Sequence, residues 1–391
     1  MKRKTGRYAK TKVAEEEVRA FIPYPLPPKN PALQVDLSMT EKLEAATASI
    51  KRLAIAGEMV PSIEWLVYAF VRKEAVLSSQ IEGTQATLVD LFAHEATETG
   101  QLPPDSDVDE VCNYLSALTV ARSELRRNKG LPLSIRLLNQ THRRLMAGRP
   151  GKGARPGEVR STQNWVGGTR PGNAIFVPPP PHALGDALSK FELWMHANDR
   201  MHPLVRCALL HAQFETIHPY LDGNGRIGRL LISLLLEQWG LLSEPLLYLS
   251  LFFKRNRTEY YRRLSDIRTE GDWEAWVGYF LEGVQVTADE TTDTVRQIFA
   301  LVSRDRAVTL AHPETTIAAV RLFEELPAQP IVTVASAVNR LGSTKPTVSK
   351  AINALVNAGI LVETTGRRRD RLFGYRAYLD LLREGTDIEA E

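Results

Sequence analysis

The run His218-Pro219-Tyr220-Leu221-Asp222-Gly223-Asn224-Gly225-Arg226-Ile227-Gly228-Arg229 closes one helical pattern, Pro203–Ile217, and opens another, Gly225–Trp239. Gly223-Asn224-Gly225 is a stop, turn and restart signal, because two glycines admit backbone angles that other residues resist. Successive backbone N–H groups at such a turn converge into an anion-binding nest, and the following helix adds its positive end. Arg226 and Arg229 are three residues apart and project near one face of that helix. Each offers a fork of donors suited to phosphate oxygens. Asp222 stands at the lip of the nest, where a carboxylate would repel phosphate unless a cation lay between them, which points to Mg²⁺. His218, a short loop earlier, is a general base near neutral pH. Together these residues describe metal-assisted attack on a nucleotide phosphate.

Outward from this loop the chain reads as helical. Ile63, Leu66, Val67, Phe70, Val71 and Ala75 recur at three- and four-residue spacing, and the pattern returns at Ala86–His94, Val108–Leu125, Ser134–Met146, Ala183–Ala197, Arg257–Glu270 and Trp273–Arg304. Gly100–Pro104 reads as a loop. Strands do not alternate with helices, so a parallel sheet is not expected. Between Gly148 and Pro181, Arg160–Val166 and Ala174–Val177 are short β-prone pieces around a Gly/Pro-rich turn, which predicts a hairpin. Residues 1–35 are basic and then Pro-rich, an extended arm or solvated tail.

The last part differs. Glu314–Glu325, Val332–Leu341 and Pro346–Ala358 are helical, and Ile360–Glu363 and Leu372–Tyr375 flank the basic turn Thr365-Gly366-Arg367-Arg368-Arg369-Asp370-Arg371. Helix, turn, helix, hairpin is the order of a winged helix. Ser343, Thr344, Lys345, Thr347, Lys350 and the wing arginines suit DNA, with dimerisation or protein docking as the other uses of such a unit. The expected division is an arm at 1–35, a helical region at 36–105, a catalytic core at 106–303 and a winged helix at 314–380. The fold class is thus mainly α, an all-α core with a β-hairpin flap and a small C-terminal winged helix.

Composition sets bounds. Net charge is +3, too small to name a partner class. The longest apolar run, Leu230–Leu236, is broken by Ser233, too short for a bilayer, and no signal core follows the basic start. Cys112 and Cys207 are the two cysteines and lack metal-ligand spacing. A cytoplasmic protein with reduced thiols, away from membranes, is expected.

The loop resembles the signature of the Fic (filamentation induced by cAMP) family, His-x-Phe-x-(Asp or Glu)-Gly-Asn-Gly-Arg-x-x-Arg, with Tyr220 in place of Phe. The resemblance runs from about residue 60 to 290. It implies transfer of AMP from ATP to Ser, Thr or Tyr hydroxyls of proteins, the enzyme itself included. His218 would deprotonate the acceptor and Asp222 would hold Mg²⁺. Gly223, Asn224, Gly225 and Arg226 would hold the α- and β-phosphates and Arg229 the γ-phosphate, with Ile227 and Gly228 completing the ATP-binding run. Ile175, Phe176 and Val177 would dock an extended acceptor segment on the flap edge. One of Tyr260 and Tyr261, taken here as Tyr261, and Asn256 would lie near the adenine, with core packing as the alternative. Ser78-Ser79-Gln80-Ile81-Glu82-Gly83 resembles the family's inhibitory helix, (Ser or Thr)-x-x-x-Glu-(Gly or Asn). Glu82, steadied by Ser78 and followed by Gly83, would pair with Arg229 in place of the γ-phosphate. Removal of AMP, transfer of another nucleotide, and a DNA-binding regulator with a nucleotide-sensing core remain alternatives on the same scaffold. Oligomer-linked release of the brake would make a homodimer a partner.

Overall fold

The computed structural model describes residues 3–13, 15–97, 106–148, 155–367 and 369–388. The loop expected at Gly100–Pro104 and the wing residue Arg368 lie outside them. In chain order the elements are β1 (Gly6–Val13), β2 (Glu16–Pro23), α1 (Leu37–Glu58), α2 (Ile63–Ile81), α3 (Leu88–Ala96), α4 (Asp107–Arg126), α5 (Ile135–Leu145), α6 (Pro181–Met195), α7 (Pro203–Ile217), α8 (Asn224–Gln238), α9 (Ser250–Arg255), α10 (Arg257–Thr269) and α11 (Trp273–Ala311). Then come α12 (Ile317–Glu325), β3 (Ile331–Val332), α13 (Val334–Leu341), α14 (Lys345–Asn357), β4 (Leu361–Glu363), β5 (Phe373–Tyr375) and α15 (Arg376–Arg383). The protein is mainly α, and its strands form two small antiparallel sheets. Among the described residues no helix is long and apolar enough to cross a membrane.

Two compact units divide the chain. The first takes the chain up to Lys51, Asn113–Pro245 and Phe252–Ala288. Its centre is α7, which is buried on every side although it carries Arg206, His211 and Gln213 among its enclosed residues. Pro203 opens this helix where a missing N–H costs nothing, and His202 Nδ1 accepts the Leu204 amide at 3.2 Å. Trp276 of α11 is fully buried and donates its indole N–H to Ala208 O at 2.8 Å. Arg206 caps the end of α6 through the carbonyls of Trp194, Met195 and Ala197.

The N-terminal segment is not an extended arm. β1 and β2 pair from Gly6↔Pro23 to Val13↔Glu16. Val13, Val18 and Ala20 pack with Val177 and Ala174. The charge-rich sequence hides this hairpin, because its turn carries Glu15 at φ 68 rather than a glycine.

The second unit takes Arg52–Cys112, Leu246–Leu251 and the chain from Asp289 onward. The segment holding Ser78–Gly83 thus shares a unit with the C-terminal elements, unlike the sequential division expected. α11 also continues unbroken past Arg304 to Ala311. Within this unit α2 and α3 are joined by Arg72, whose guanidinium reaches both Glu95 oxygens at 2.8 Å, and by Tyr68 Oη, 2.5 Å from the same carboxylate. Thr87 and Asp90 form a capping box that starts α3. The C-terminal sheet has the order β3-β5-β4; α14 packs on β4, and α12 and α13 pack on α14.

Candidate active site

α7 ends at Ile217 because His218 turns left-handed, at φ 50 and ψ 61. This conformation is costly for a residue with a Cβ and marks a backbone held by its surroundings. The hold is visible on both sides. The His218 amide donates to Phe214 O at 2.9 Å, and its carbonyl accepts Arg160 Nε at 2.9 Å. Gly223, at φ 76, precedes α8, whose first amides have no partner within the helix.

Between these two bends the loop is pinned by side chains. Asn224 is 2% exposed; its Oδ1 accepts the Tyr220 amide and its Nδ2 donates to Tyr220 O, both at 2.8 Å. The Asn224 side chain is therefore spent on the loop itself, which leaves its backbone N–H for an anion. Tyr220 is 1% exposed, stacks on His142 at 3.9 Å and donates its hydroxyl to Asn139 Oδ1 at 2.8 Å. Tyrosine replaces phenylalanine here because its hydroxyl finds a partner. His142 Nδ1 accepts the Gly157 amide at 2.8 Å, so its Nε2 carries the proton and donates to Asp222 O at 3.0 Å. Burial lowers the pKa of His142 to about 4, which keeps it in this neutral form.

Arg226 and Arg229 are each 2% exposed on α8. Arg226 Nη2 lies 3.8 Å from Asp222 Oδ1, and Asp222 also accepts the Gly223 amide at 2.6 Å. The Asp222 side chain is 59% exposed, so the carboxylate stands at the open lip of the nest. Among the described residues no group of three His, Cys, Asp or Glu gathers as a metal cage. A lone exposed carboxylate suits Mg²⁺, which keeps several waters and takes its other ligands from phosphate.

The residues assigned to ATP separate into two sets. Ile227 is fully buried, and Gly228 packs against α7, with its carbonyl 2.9 Å from His211 Nδ1. A Cβ on Gly228 would meet Glu215 Oε1. Both residues therefore contribute packing rather than phosphate contacts, since they face the core side of α8. Tyr260 is the core member of the tyrosine pair, 1% exposed and 2.9 Å from His211 Nε2 through its hydroxyl. Burial moves His211 down to about 3. Tyr261 is 42% exposed, with Arg257 over its ring. Asn256 is the residue before α10, and its Nδ2 donates to Phe252 O at 3.0 Å.

The flap departs from a regular hairpin. Val166 and Phe176 exchange two backbone hydrogen bonds as a single bridge, and Pro171–Asn173 forms one 3₁₀ turn. Glycine and proline content supplies turns but few ladder positions. Of the docking trio only Ile175 is exposed, at 79%. Phe176 turns inward beneath the Arg268 guanidinium, 4.0 Å from the ring centre, and Val177 packs on β2. The expected free edge is also partly taken, because the Phe21 amide donates to Val177 O at 2.9 Å. Arg170 and Glu16 tie the same two segments at 2.7 Å.

Sequence reasoning missed three residues that position the loop. Arg160 is 2% exposed and binds the carbonyls of His218, Thr162 and Pro179. Burial lowers its pKa to about 10. Asn164 Nδ2 donates to Tyr220 O at 3.1 Å, and His142 supports the loop from α5. Each is an isolated polar residue outside the motif, buried at Arg160 and His142 and half-buried at Asn164. On α2, Ser78 is fully buried, Glu82 is exposed at the C-cap, and Gly83 follows at φ 106.

Residues 40–123 match the Fic/DOC family N-terminal domain, and residues 132–236 match the Fic/DOC family domain. A protein adenylyltransferase Fic of Drosophila grimshawi is 30% identical over 234 residues, 58% of this chain and 44% of that protein. One of Culex quinquefasciatus is 31% identical over 185 residues, 46% of this chain and 32% of that protein. The chain thus spans less than half the length of these relatives. The crystal structure of a Fic family protein from Desulfovibrio desulfuricans aligns over 88% of this chain and 97% of its own, with a TM-score of 0.55 at 20% identity. A Fic domain containing signaling protein from Bacteroides thetaiotaomicron aligns over 66% and 97%, with a TM-score of 0.51 at 17% identity. The loop His218–Arg229 lies inside the second matched segment, so residues 40–123 and 132–236 of this chain carry the N-terminal and main domains of the Fic/DOC family.

Proposed function

We propose that this protein transfers AMP from ATP to a protein hydroxyl and that α2 restrains it. The carrying observation is the pinned loop, in which a left-handed His218 and the start of α8 are held by Asn224, Tyr220 and Arg160. The relatives named protein adenylyltransferase Fic support the same reading. His218 takes the proton of the acceptor hydroxyl, whose oxygen attacks the α-phosphorus of ATP. A P–O bond forms to the acceptor, the bond to the β-bridging oxygen breaks, and pyrophosphate leaves. The α8 amides and Arg226 bind the α- and β-phosphates, and Arg229 orients the γ-phosphate. Asp222 would hold Mg²⁺, which neutralises charge on the phosphates. An extended acceptor lies along the flap arm near Asn164–Val166 and against the Ile175 side chain. The adenine faces Tyr261 and Asn256 rather than Tyr260.

Glu82 competes for the place that the γ-phosphate needs, and Ser78 and Gly83 set the geometry of that helix end. A displaced triphosphate loses in-line geometry at His218. The acceptors include the protein itself, and a homodimer is one source of release. The test is mass spectrometry of the purified protein after incubation with ATP and Mg²⁺, beside His218→Ala. A gain of one AMP only in the unaltered protein supports transfer. ATP binding without transfer to any protein favours a nucleotide sensor instead. Loss of AMP from a modified protein, or labelling by another nucleotide, reassigns the chemistry. The C-terminal winged helix carries duplex DNA as a second partner.

A further inference from the structure

α2 ends in the restraint segment, and its Gln80 lies between Ser78 and Glu82. Gln80 Nε2 donates to Thr386 O at 2.8 Å and to Ala86 O at 2.9 Å. Thr386 is fully buried, and its hydroxyl and amide both donate to Arg383 O, which closes the end of α15. Tyr378, Leu379 and Leu382 bury the apolar face of α15, which packs on α2, α3 and β5. α3 in turn packs on β3, and β5 pairs with both β3 and β4. A continuous set of packed elements thus leads from the β4–β5 turn to the helix end that bears Glu82.

The same unit carries a cluster of exposed basic residues in sequence, with Asp370 as the one exposed acid in the turn. Lys345, Lys350, Arg367, Arg369 and Arg371 are exposed on α14 and the turn. Glu363 is occupied in shaping that turn, where it accepts the amides of Thr365 and Gly366 at 2.9 Å. The exposed start of α14, with Thr344 and Thr347, has the dimensions and polarity of a major-groove reader. We propose that Gln80 clamps the restraint helix to the C-terminal module, and that duplex DNA on the basic cluster loosens this clamp and raises AMP transfer. The proposal rests on the transferase reading above. Gln80 is a positioning residue and touches neither nucleotide nor acceptor. Phosphate contacts from the five cations would give a salt dependence of log affinity no steeper than about −4.5.

The experiment uses the full chain, with and without a random-sequence duplex of about two helical turns. Hydrogen exchange at residues 78–84 reads the clamp directly, and AMP transfer reads its output. Gln80→Leu is expected to speed exchange there and to raise transfer roughly five- to a hundredfold, the effect of losing its two intramolecular hydrogen bonds. The duplex is expected to do the same in the unaltered protein and to add little in Gln80→Leu. Normal exchange in Gln80→Leu overturns the clamp, and absence of duplex binding overturns the DNA input. Exchange that follows these expectations while no variant, Glu82→Gly included, transfers AMP refutes the transferase reading and leaves the clamp standing. Exchange at 78–84 that ignores bound duplex in the unaltered protein overturns the coupling, whatever the behaviour of the variant.

Discussion

Asn224→Ala separates two roles that the motif alone merges. The side chain is buried and makes both of its hydrogen bonds to the Tyr220 backbone, each at 2.8 Å. Truncation strands the Tyr220 amide away from water. The Tyr220 carbonyl fares better, because Asn164 Nδ2 still donates to it at 3.1 Å. A stranded buried donor costs about 1–3 kcal/mol, and the second lost bond adds about 0.5–1.5 kcal/mol. The expected loss of stability is therefore about 1.5–4.5 kcal/mol, a large share of a typical margin of about 5–15 kcal/mol. Denaturant unfolding followed by circular dichroism measures it, with ATP affinity and AMP transfer determined in parallel. Transfer should fall about a hundredfold, because a loop displaced by an ångström no longer aligns His218 with the α-phosphate. Unchanged stability with lost ATP affinity would refute the pinning role and return the side chain to the phosphates.

Four further outcomes are expected. His218→Ala should keep nucleotide binding by calorimetry yet abolish transfer, and robust labelling by that variant would remove His218 as the base. Glu82→Gly should raise transfer by up to about a hundredfold, as realignment of a misplaced phosphate allows; equal initial rates in variant and parent would count against the restraint. Val18→Asp should weaken transfer to protein acceptors far more than ATP binding, because β2 backs the flap at Val177; equal losses in both measurements would dissociate the hairpin from docking. Stability should decline as pH falls from about 6.5 toward about 4, because His142 is neutral when folded and protonates first in the unfolded chain. The full contribution, about 3 kcal/mol, is present above pH 6.5, and a His142→Phe variant with the same acid sensitivity would disprove its source.

Most of the helices were legible because their apolar spacing is dense, as in α2, α7 and α8. The loop was legible because glycine, asparagine and arginine stand at fixed offsets around a turn. The N-terminal hairpin was not, since Val13, Val18, Ala20, Phe21 and Pro23 are the buried residues of its strands while charged residues are frequent in the rest. α15 was also missed, being eight residues long with a short apolar stripe. Arg160, Asn164 and His142 escaped because long-range hydrogen bonds to carbonyls leave no periodic trace. Asn224 was seen but assigned to phosphate, although its amide is the size and shape needed to bridge the backbone of residue 220. Tertiary neighbours, rather than local spacing, decide such assignments.

The pairing of Phe21 with Val177 also orders events during synthesis. A ribosome delivers β2 well before the flap segment that it braces, and α6 follows only afterwards. Until residue 177 emerges, Val18 and Ala20 of β2 have only Val13 of β1 as a partner in this cluster, and their remaining apolar surface is open to other chains or to chaperones. Completion of the flap is thus a late, non-local closure, slow by contact order relative to the local helices. The motif helix α8 follows the flap in the chain, so the segment proposed to dock the acceptor can close before α8 has emerged.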